Sequence, residues 1–257
     1  MSDTIDAAAP TLTESAGQHV LTGSVDAAAD DLRPCDLTRL AQGFYFIFWG
    51  SLAVLSTMAE ALGAPTLRLY SIVIGGAGAL GMLAGSWRLY QTKDLARDWK
   101  SRTYGLLIAA MLVAYLFPFF CMWRRVPTNL YLLCHALAWI GAFICHMSLL
   151  GVAVGALARL MGRSSLVVQA LFFGGVAFLV LFAPFVLLAQ SLVVATWHGS
   201  DPLAAVQFLL ARLHPVYVLV VLIPFSLTLS LAWTAKDIVL RRLTARDFEK
   251  AVGPESA

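Results

Sequence analysis

Two Cys-His dipeptides, Cys134-His135 and Cys145-His146, are the residues of this sequence with the most chemical potential. Thiolate and imidazole groups are ligands for zinc and copper, and imidazole also ligates haem iron. The two histidines are eleven positions apart, which on a helix is about three turns, so both share one face about 16 Å apart along the axis. This separation indicates two separate sites rather than one shared metal ion.

His146 is the candidate for binding a cofactor. It falls near the middle of an apolar segment, where an imidazole could ligate a haem or donate a hydrogen bond to a neighbouring helix. No other apolar segment has a histidine at the same depth, so a haem would need a methionine or a second chain as its other ligand. We therefore favour a neutral histidine that bonds across a helix bundle, and no cofactor is predicted.

Residues that could bind a metal ion lie toward one end of the predicted helices. They share that position and the ability to bind zinc or copper: Cys121, Cys134, His135, His198 and His214. Several cysteine and histidine residues would also fall at one end of the helices by chance, so the metal site stays a hypothesis. Cys121 and Cys134 flank a short turn and could form a disulfide if that side is oxidising.

Motifs for catalysis are absent from the sequence. It has no GxSxG, no glycine-rich phosphate loop, no HExxH and no pair of loop acids that would suggest group transfer. No catalytic residue is predicted, and a protein that is not an enzyme is favoured, although catalysis by residues dispersed over several helices stays open. Glu60 is the only carboxylate that could be embedded in the membrane, and the absence of other buried charges disfavours ion-coupled transport of a charged solute.

The residues discussed above lie on or beside six charge-free stretches of the sequence. Each has the roughly 20 apolar residues that span a bilayer, and lipid-exposed backbone must satisfy its own hydrogen bonds, as a helix does. The chain is 60% hydrophobic and 13% charged, with a mean hydropathy of +0.78. The sequence predicts an all-α, polytopic integral membrane protein, a six-transmembrane-helix bundle.

Three parts are predicted along the chain. Residues 1–37 form a disordered acidic tail, residues 38–240 the transmembrane domain, and residues 241–257 a cytoplasmic carboxyl-terminal tail. An amphipathic segment at 202–213 is expected on the outer interface. The spans are predicted at 40–61, 69–89, 103–123, 129–158, 165–190 and 213–235.

Basic residues predict the orientation. Fourteen of the 18 Lys and Arg residues lie on one side of the six spans, and the positive-inside rule makes that side cytoplasmic. Both termini are then cytoplasmic, and the protein is expected in the cell (inner) membrane. The tail lacks the basic start and apolar centre of a secretory signal, so the first span is expected to act as the membrane signal.

Small residues in the second and fourth spans predict close helix packing, at Gly81, Gly85, Gly151 and Gly155. Packing within the chain is favoured, and a dimer seam is the alternative. The expected partners are the lipid bilayer and either a second copy or another membrane protein. Nucleic acid is excluded as a partner because the basic residues are concentrated on one side of the spans, which is how membrane orientation is set.

No motif identifies a reaction, so function is inferred from these general features. The favoured hypothesis is a non-catalytic membrane component that acts through association with itself or a partner protein. One alternative is a passive channel or carrier for a small or apolar solute. The other is a haem- or metal-binding membrane redox protein.

Overall fold

Six long helices follow one another in the described part of the chain. The computed structural model describes residues 33–63, 68–92, 97–202, 204, 206 and 215–252, and all regular secondary structure within these ranges is helical. The helices are α1 (Pro34–Gly63), α2 (Leu69–Tyr90), α3 (Arg97–Arg125), α4 (Leu130–Leu160), α5 (Ser164–Trp197) and α6 (Pro215–Val252).

Each of these six helices contains a segment long and apolar enough to cross a membrane. This confirms the predicted all-α class of the described residues and the number of spans, and it supports a multi-pass membrane protein. Six alternating spans place the start of α1 and the end of α6 on the same side of the bundle. We call this side the termini side and the other the opposite side.

Several helices extend past the predicted spans. α1 begins at Pro34, inside the segment predicted as tail, because proline suits a first helical turn and Asp36 complements the positive end of the helix dipole. α5 continues past residue 190 to Trp197. α6 includes residues 241–252 and is about 57 Å long. Residues 1–32 and most of the predicted segment 202–213 lie outside the described residues.

The helices pack as a ring in chain order. Each helix from α1 to α5 packs on the next, and α6 packs on α5, returns to α1 and also contacts α4. α4 has the largest buried share of the six candidate spans and α5 the smallest. α4 is therefore the centre of the bundle, and α5 lies at its edge with most of its surface available to lipid.

An aromatic cluster around Trp139 joins α4 to α3 and α6. Trp139 is fully buried, stacks on Phe120 of α3 at 4.2 Å between ring centroids, and donates its Nε1–H to the carbonyl oxygen of Val113 at 3.0 Å. On the α6 side, Phe143 stacks on Phe225 at 5.8 Å. A buried tryptophan needs a partner for its N–H, and this one obtains it from the backbone of α3.

Glycines bring the backbones of α1 and α2 into contact. A Cβ atom on Gly50 would lie 2.6 Å from the carbonyl oxygen of Gly78, and one on Gly85 would lie 2.6 Å from that of Gly43. A Cβ on Gly81 would meet its nearest atom, a backbone oxygen of α1, at 3.6 Å. Gly85 therefore lies in the tight part of this contact, and Gly81 lies against α1 with room for a methyl group.

Glycines of α4 have the same function toward α5. A Cβ on Gly151 would lie 3.0 Å from the Cα atom of Gly174, and one on Gly155 would lie 3.5 Å from the Cβ of Ala170. All four glycines predicted for helix packing thus face a helix of the same chain.

Candidate functional site

His146 is fully buried in α4 and reaches across to α3. Its Nδ1 lies 3.3 Å from the carbonyl oxygen of Leu106. Because a carbonyl oxygen can only accept, Nδ1 carries the proton, and in the neutral ring Nε2 is then an acceptor. No described residue forms a hydrogen bond with Nε2. The histidine thus donates a hydrogen bond across the bundle through Nδ1, and the lone pair of its buried Nε2 has no described partner.

The predicted metal set does not form a metal centre in the described part of the chain. The Nδ1 of His135 lies 2.8 Å from the carbonyl oxygen of Tyr131 in its own helix, and its ring stacks on Phe119 at 4.7 Å. Cys121 and Cys134 are free thiols. Within the described ranges, no group of three or more His, Cys, Asp or Glu residues is placed to hold a metal ion. His198 is the exposed residue directly after the end of α5 at Trp197, and the candidate at position 214 lies outside these ranges.

Glu60 has a structural partner on the opposite side of the bundle. The Ser71 hydroxyl donates a hydrogen bond to its carboxylate, and the Thr57 hydroxyl donates to the backbone oxygen of Ser71 at 3.0 Å. These bonds link α1 to α2. A role in helix packing accounts for this half-buried carboxylate.

A groove on the termini side is the candidate functional site, and it was not expected from the sequence. It has a volume of about 820 Å³, within the roughly 300–1,000 Å³ of small-molecule pockets. It lies between the α4–α5 turn, the first turns of α5 and the later part of α6. Its polar lining residues are Arg163, Ser165, Gln169, Thr234, Asp237, Arg241 and Arg242.

The α4–α5 turn positions Arg163 in this groove. The N–H of Gly162 donates to the carbonyl oxygen of Arg159 at 3.2 Å, and the N–H of Arg163 donates to that of Ala158 at 2.9 Å. This pair of bonds is the Schellman motif that ends many helices. Gly162 has a φ of +66°, which a glycine adopts without the clash of a Cβ atom. The backbone therefore fixes Arg163 at the start of α5.

The amino-terminal end of α5 adds hydrogen-bond donors to the groove. Arg163 is the residue before the helix, and its side chain makes no capping bond. The first backbone amides of a helix have no acceptor within it, and those of Ser165 and Leu166 belong to residues that line the groove. The positive end of the helix dipole lies at the same place and favours a negative charge.

The arginines give the groove an excess of positive charge. Among the described residues of its lining, Asp237 is the only carboxylate, and Lys236 pairs with it at 3.1 Å between Nζ and Oδ1. The same ammonium group lies over the ring of Trp233. No described residue forms an ion pair with Arg163 or Arg241. The one negative charge of the groove is thus already balanced from within α6.

Apolar side chains lie beneath and beside these charges. Met161 and Leu166 line the groove and are themselves buried. Further along α5, Val168 and Phe172 are 67% and 62% exposed. The lining of the groove therefore includes both arginines and buried apolar side chains, and the groove lies next to the lipid-facing surface of α5.

The chain matches no protein-family model, no curated protein and no solved structure. The residues of the site are therefore the basis on which function is inferred. Arg163, Arg241 and Arg242 are among the fourteen basic residues that predict orientation, and no site was expected from them because the α4–α5 turn and α6 are far apart in the chain. The dipeptide Gly162-Arg163 stands directly before an apolar segment. A glycine often follows the end of a helix, so this dipeptide could have indicated an arginine at the start of the next helix.

Proposed function

We propose that the protein is a non-catalytic component of the cell (inner) membrane that acts by association, with both termini in the cytoplasm. Its association site is the cationic groove, and its partner carries negative charge. The observation that supports this proposal is the charge of the groove, where Arg163 and Arg241 line the same surface as Asp237, the one carboxylate of the described lining, which Lys236 already neutralises.

The glycine contacts argue against association through a dimer seam. Gly81 and Gly85 face α1, and Gly151 and Gly155 face α5, so these glycines already serve packing within the chain. A dimer seam built on the same residues would require those helix pairs to separate. The groove, in contrast, is open on the surface.

Binding fits the groove better than catalysis. Arginines and helix amino termini hold anions through charge and directed N–H donors. The described lining contains the hydroxyls of Ser165 and Thr234 and one carboxylate, that of Asp237, which is engaged by Lys236. The described lining therefore pairs no nucleophile with an available base.

Photo-crosslinking in native membranes tests this proposal. Benzoylphenylalanine in place of Ser165 should give adducts with the partner, whereas the same group at Ser164, which is exposed and does not line the groove, should give few. The double variant Arg163→Gln with Arg241→Gln should lower the adduct yield at position 165. Equal yields at both positions, or a yield that is independent of the two arginines, would rule the proposal out.

A second candidate function, a haem- or metal-binding redox protein, is favoured by one observation. The Nδ1–H of His146 is bonded to a backbone carbonyl and its buried Nε2 has no described partner, an arrangement that also orients ligand histidines in metal sites. The absorption spectrum and metal content of the purified protein decide between the two candidates.

A further inference from the structure

We infer that the cationic groove binds the phosphate headgroup of an anionic phospholipid from the leaflet on the termini side. This inference rests on the proposed function and identifies the partner. It is carried by three features of the groove: its depth in the membrane, its charge and its continuity with an apolar surface.

The groove lies at the depth where lipid headgroups lie. Arg163 is the last residue before the candidate span of α5, which begins at Ser164. On α6, the lining residues from Thr234 to Arg242 belong to the final part of the candidate span Leu222–Ala245. One wall therefore begins a candidate span and the other lies in the last part of one, so both are near the membrane boundary.

The donors in the groove match a phosphate. A guanidinium group can give two parallel N–H bonds to phosphate oxygens, and Arg163 and Arg241 have no described ion-pair partner that would compete. The amides at the start of α5 add donors that point along the helix axis. Basic pockets between transmembrane helices on the cytoplasmic side are known to bind phosphorylated lipid headgroups.

The apolar surroundings distinguish a lipid from a soluble anion. Val168 and Phe172 are four residues apart on α5, so they lie on one face of the helix, and both are exposed. Ser165, which lines the groove, is three residues before Val168 and seven before Phe172, so the same face leads from the groove toward the opposite side and can accommodate an acyl chain. A soluble phosphate would make no use of it.

Charge also distinguishes an anionic lipid from a zwitterionic one. Phosphatidylcholine carries the same phosphate diester as phosphatidylglycerol, but its choline adds a positive charge close to the arginines. The excess positive charge of the groove should therefore select the lipid with net negative charge.

The experiment uses the full chain purified in dodecyl maltoside, with binding measured by native mass spectrometry and by the shift in melting temperature. Dioleoyl phosphatidylglycerol, dioleoyl phosphatidylcholine and inorganic phosphate are each added in turn. We expect phosphatidylglycerol to bind and to raise the melting temperature, and the other two to have much weaker effects.

Variants link this binding to the groove. Arg163→Gln combined with Arg241→Gln should weaken phosphatidylglycerol binding by roughly tenfold or more, as expected for the loss of charge-assisted bonds. Arg159→Gln is the matched control, because Arg159 lies in the same turn, is exposed and does not line the groove. Arg163→Lys keeps the charge, so its binding of phosphatidylglycerol should be intermediate. Intermediate binding would indicate that the loss in the double variant comes from the removed charges and not from misfolding.

Each contrary outcome has a separate meaning. Equal effects of the two lipids, or equal effects of inorganic phosphate and phosphatidylglycerol, would overturn the lipid inference, and so would equal losses in Arg159→Gln and the double variant. Crosslinking of position 165 to a protein, without selective binding of phosphatidylglycerol, would overturn the inference and leave the proposed function standing. The absence of any crosslinked adduct at position 165 would contradict the proposed function itself.

Discussion

Gly85 of α2 lies directly against the backbone of Gly43 on α1, so that a Cβ atom on Gly85 would come within 2.6 Å of the Gly43 carbonyl oxygen. Gly50 and Gly78 form a second contact of this kind further along the two helices. Helices in lipid associate through close packing, because lipid is as apolar as the side chains that would otherwise drive them together. The α1–α2 pair should therefore be sensitive to single methyl groups.

Gly85→Ala is the first test of that contact. We expect a loss of about 1–3 kcal/mol in the free energy of unfolding, the usual range for overpacking, since the clashing atom belongs to the backbone. Gly81→Ala is the control, because its added methyl group would meet its nearest atom at 3.6 Å. Thermal unfolding in detergent should show a lower midpoint for Gly85→Ala only. Equal midpoints for the two variants would show that this contact is not tight.

Trp99 should stabilise the α2–α3 connection through its indole N–H. It is 1% exposed, and its Nε1–H donates to the carbonyl oxygen of Leu89 at 3.1 Å and to the Thr92 hydroxyl at 2.8 Å. Trp99→Phe removes the donor, so we expect a loss of about 1–3 kcal/mol. Trp87→Phe should have little effect, because Trp87 is 47% exposed and its indole N–H makes no hydrogen bond to a described residue. A larger loss for Trp87→Phe would contradict this assignment.

Gly162→Ala should disturb both the fold and the groove. An alanine at a φ of +66° costs about 1–2 kcal/mol, and relief of that strain would move the neighbouring Arg163. We expect a lower melting temperature together with weaker binding of phosphatidylglycerol. Gly175→Ala is the control, because nothing lies within 4 Å of its added methyl group and alanine favours a helix. Unchanged lipid binding in Gly162→Ala would show that the turn does not position Arg163.

The number of helices could be predicted from the sequence because each span is a continuous apolar run, and lipid permits few structures for such a run. Helix ends were harder to predict. A span is defined by apolarity, whereas a helix such as α6 continues through Arg241 and Arg242 for as long as its backbone bonds are satisfied. Polarity thus marks the membrane boundary better than it marks the end of the helix.

The groove could not be predicted because it depends on which helices are neighbours. Arg163 and Arg241 each suggest membrane orientation when considered alone, and only the packing of α6 beside the α4–α5 turn makes them one site. The glycine pattern shows the same limit. A spacing of four residues identified Gly81 and Gly85 alike, whereas the structure places only Gly85 against backbone atoms closer than 3 Å.

Orientation can be tested with single cysteines in a background that lacks the four native ones. Arg68 and Lys100 are both exposed and lie at opposite ends of the bundle. If the termini side is cytoplasmic, an impermeant maleimide added to intact cells should label Arg68→Cys and should label Lys100→Cys only after the cells are opened. The reverse pattern would invert the topology and place the cationic groove in the outer leaflet.

His146 separates the association proposal from the redox alternative. If its only bond is from Nδ1 to the Leu106 carbonyl oxygen, His146→Gln keeps a donor near that oxygen and should cost about 0–2 kcal/mol, the range for hydrogen bonds between membrane helices. The purified protein should then show no Soret absorption and no stoichiometric zinc or copper. If Nε2 instead ligates haem or a metal ion, about one cofactor per chain should be bound, His146→Gln should lose it together with a larger part of the stability, and His135→Gln should retain it. That outcome would favour redox chemistry at the centre of the bundle over association at its surface.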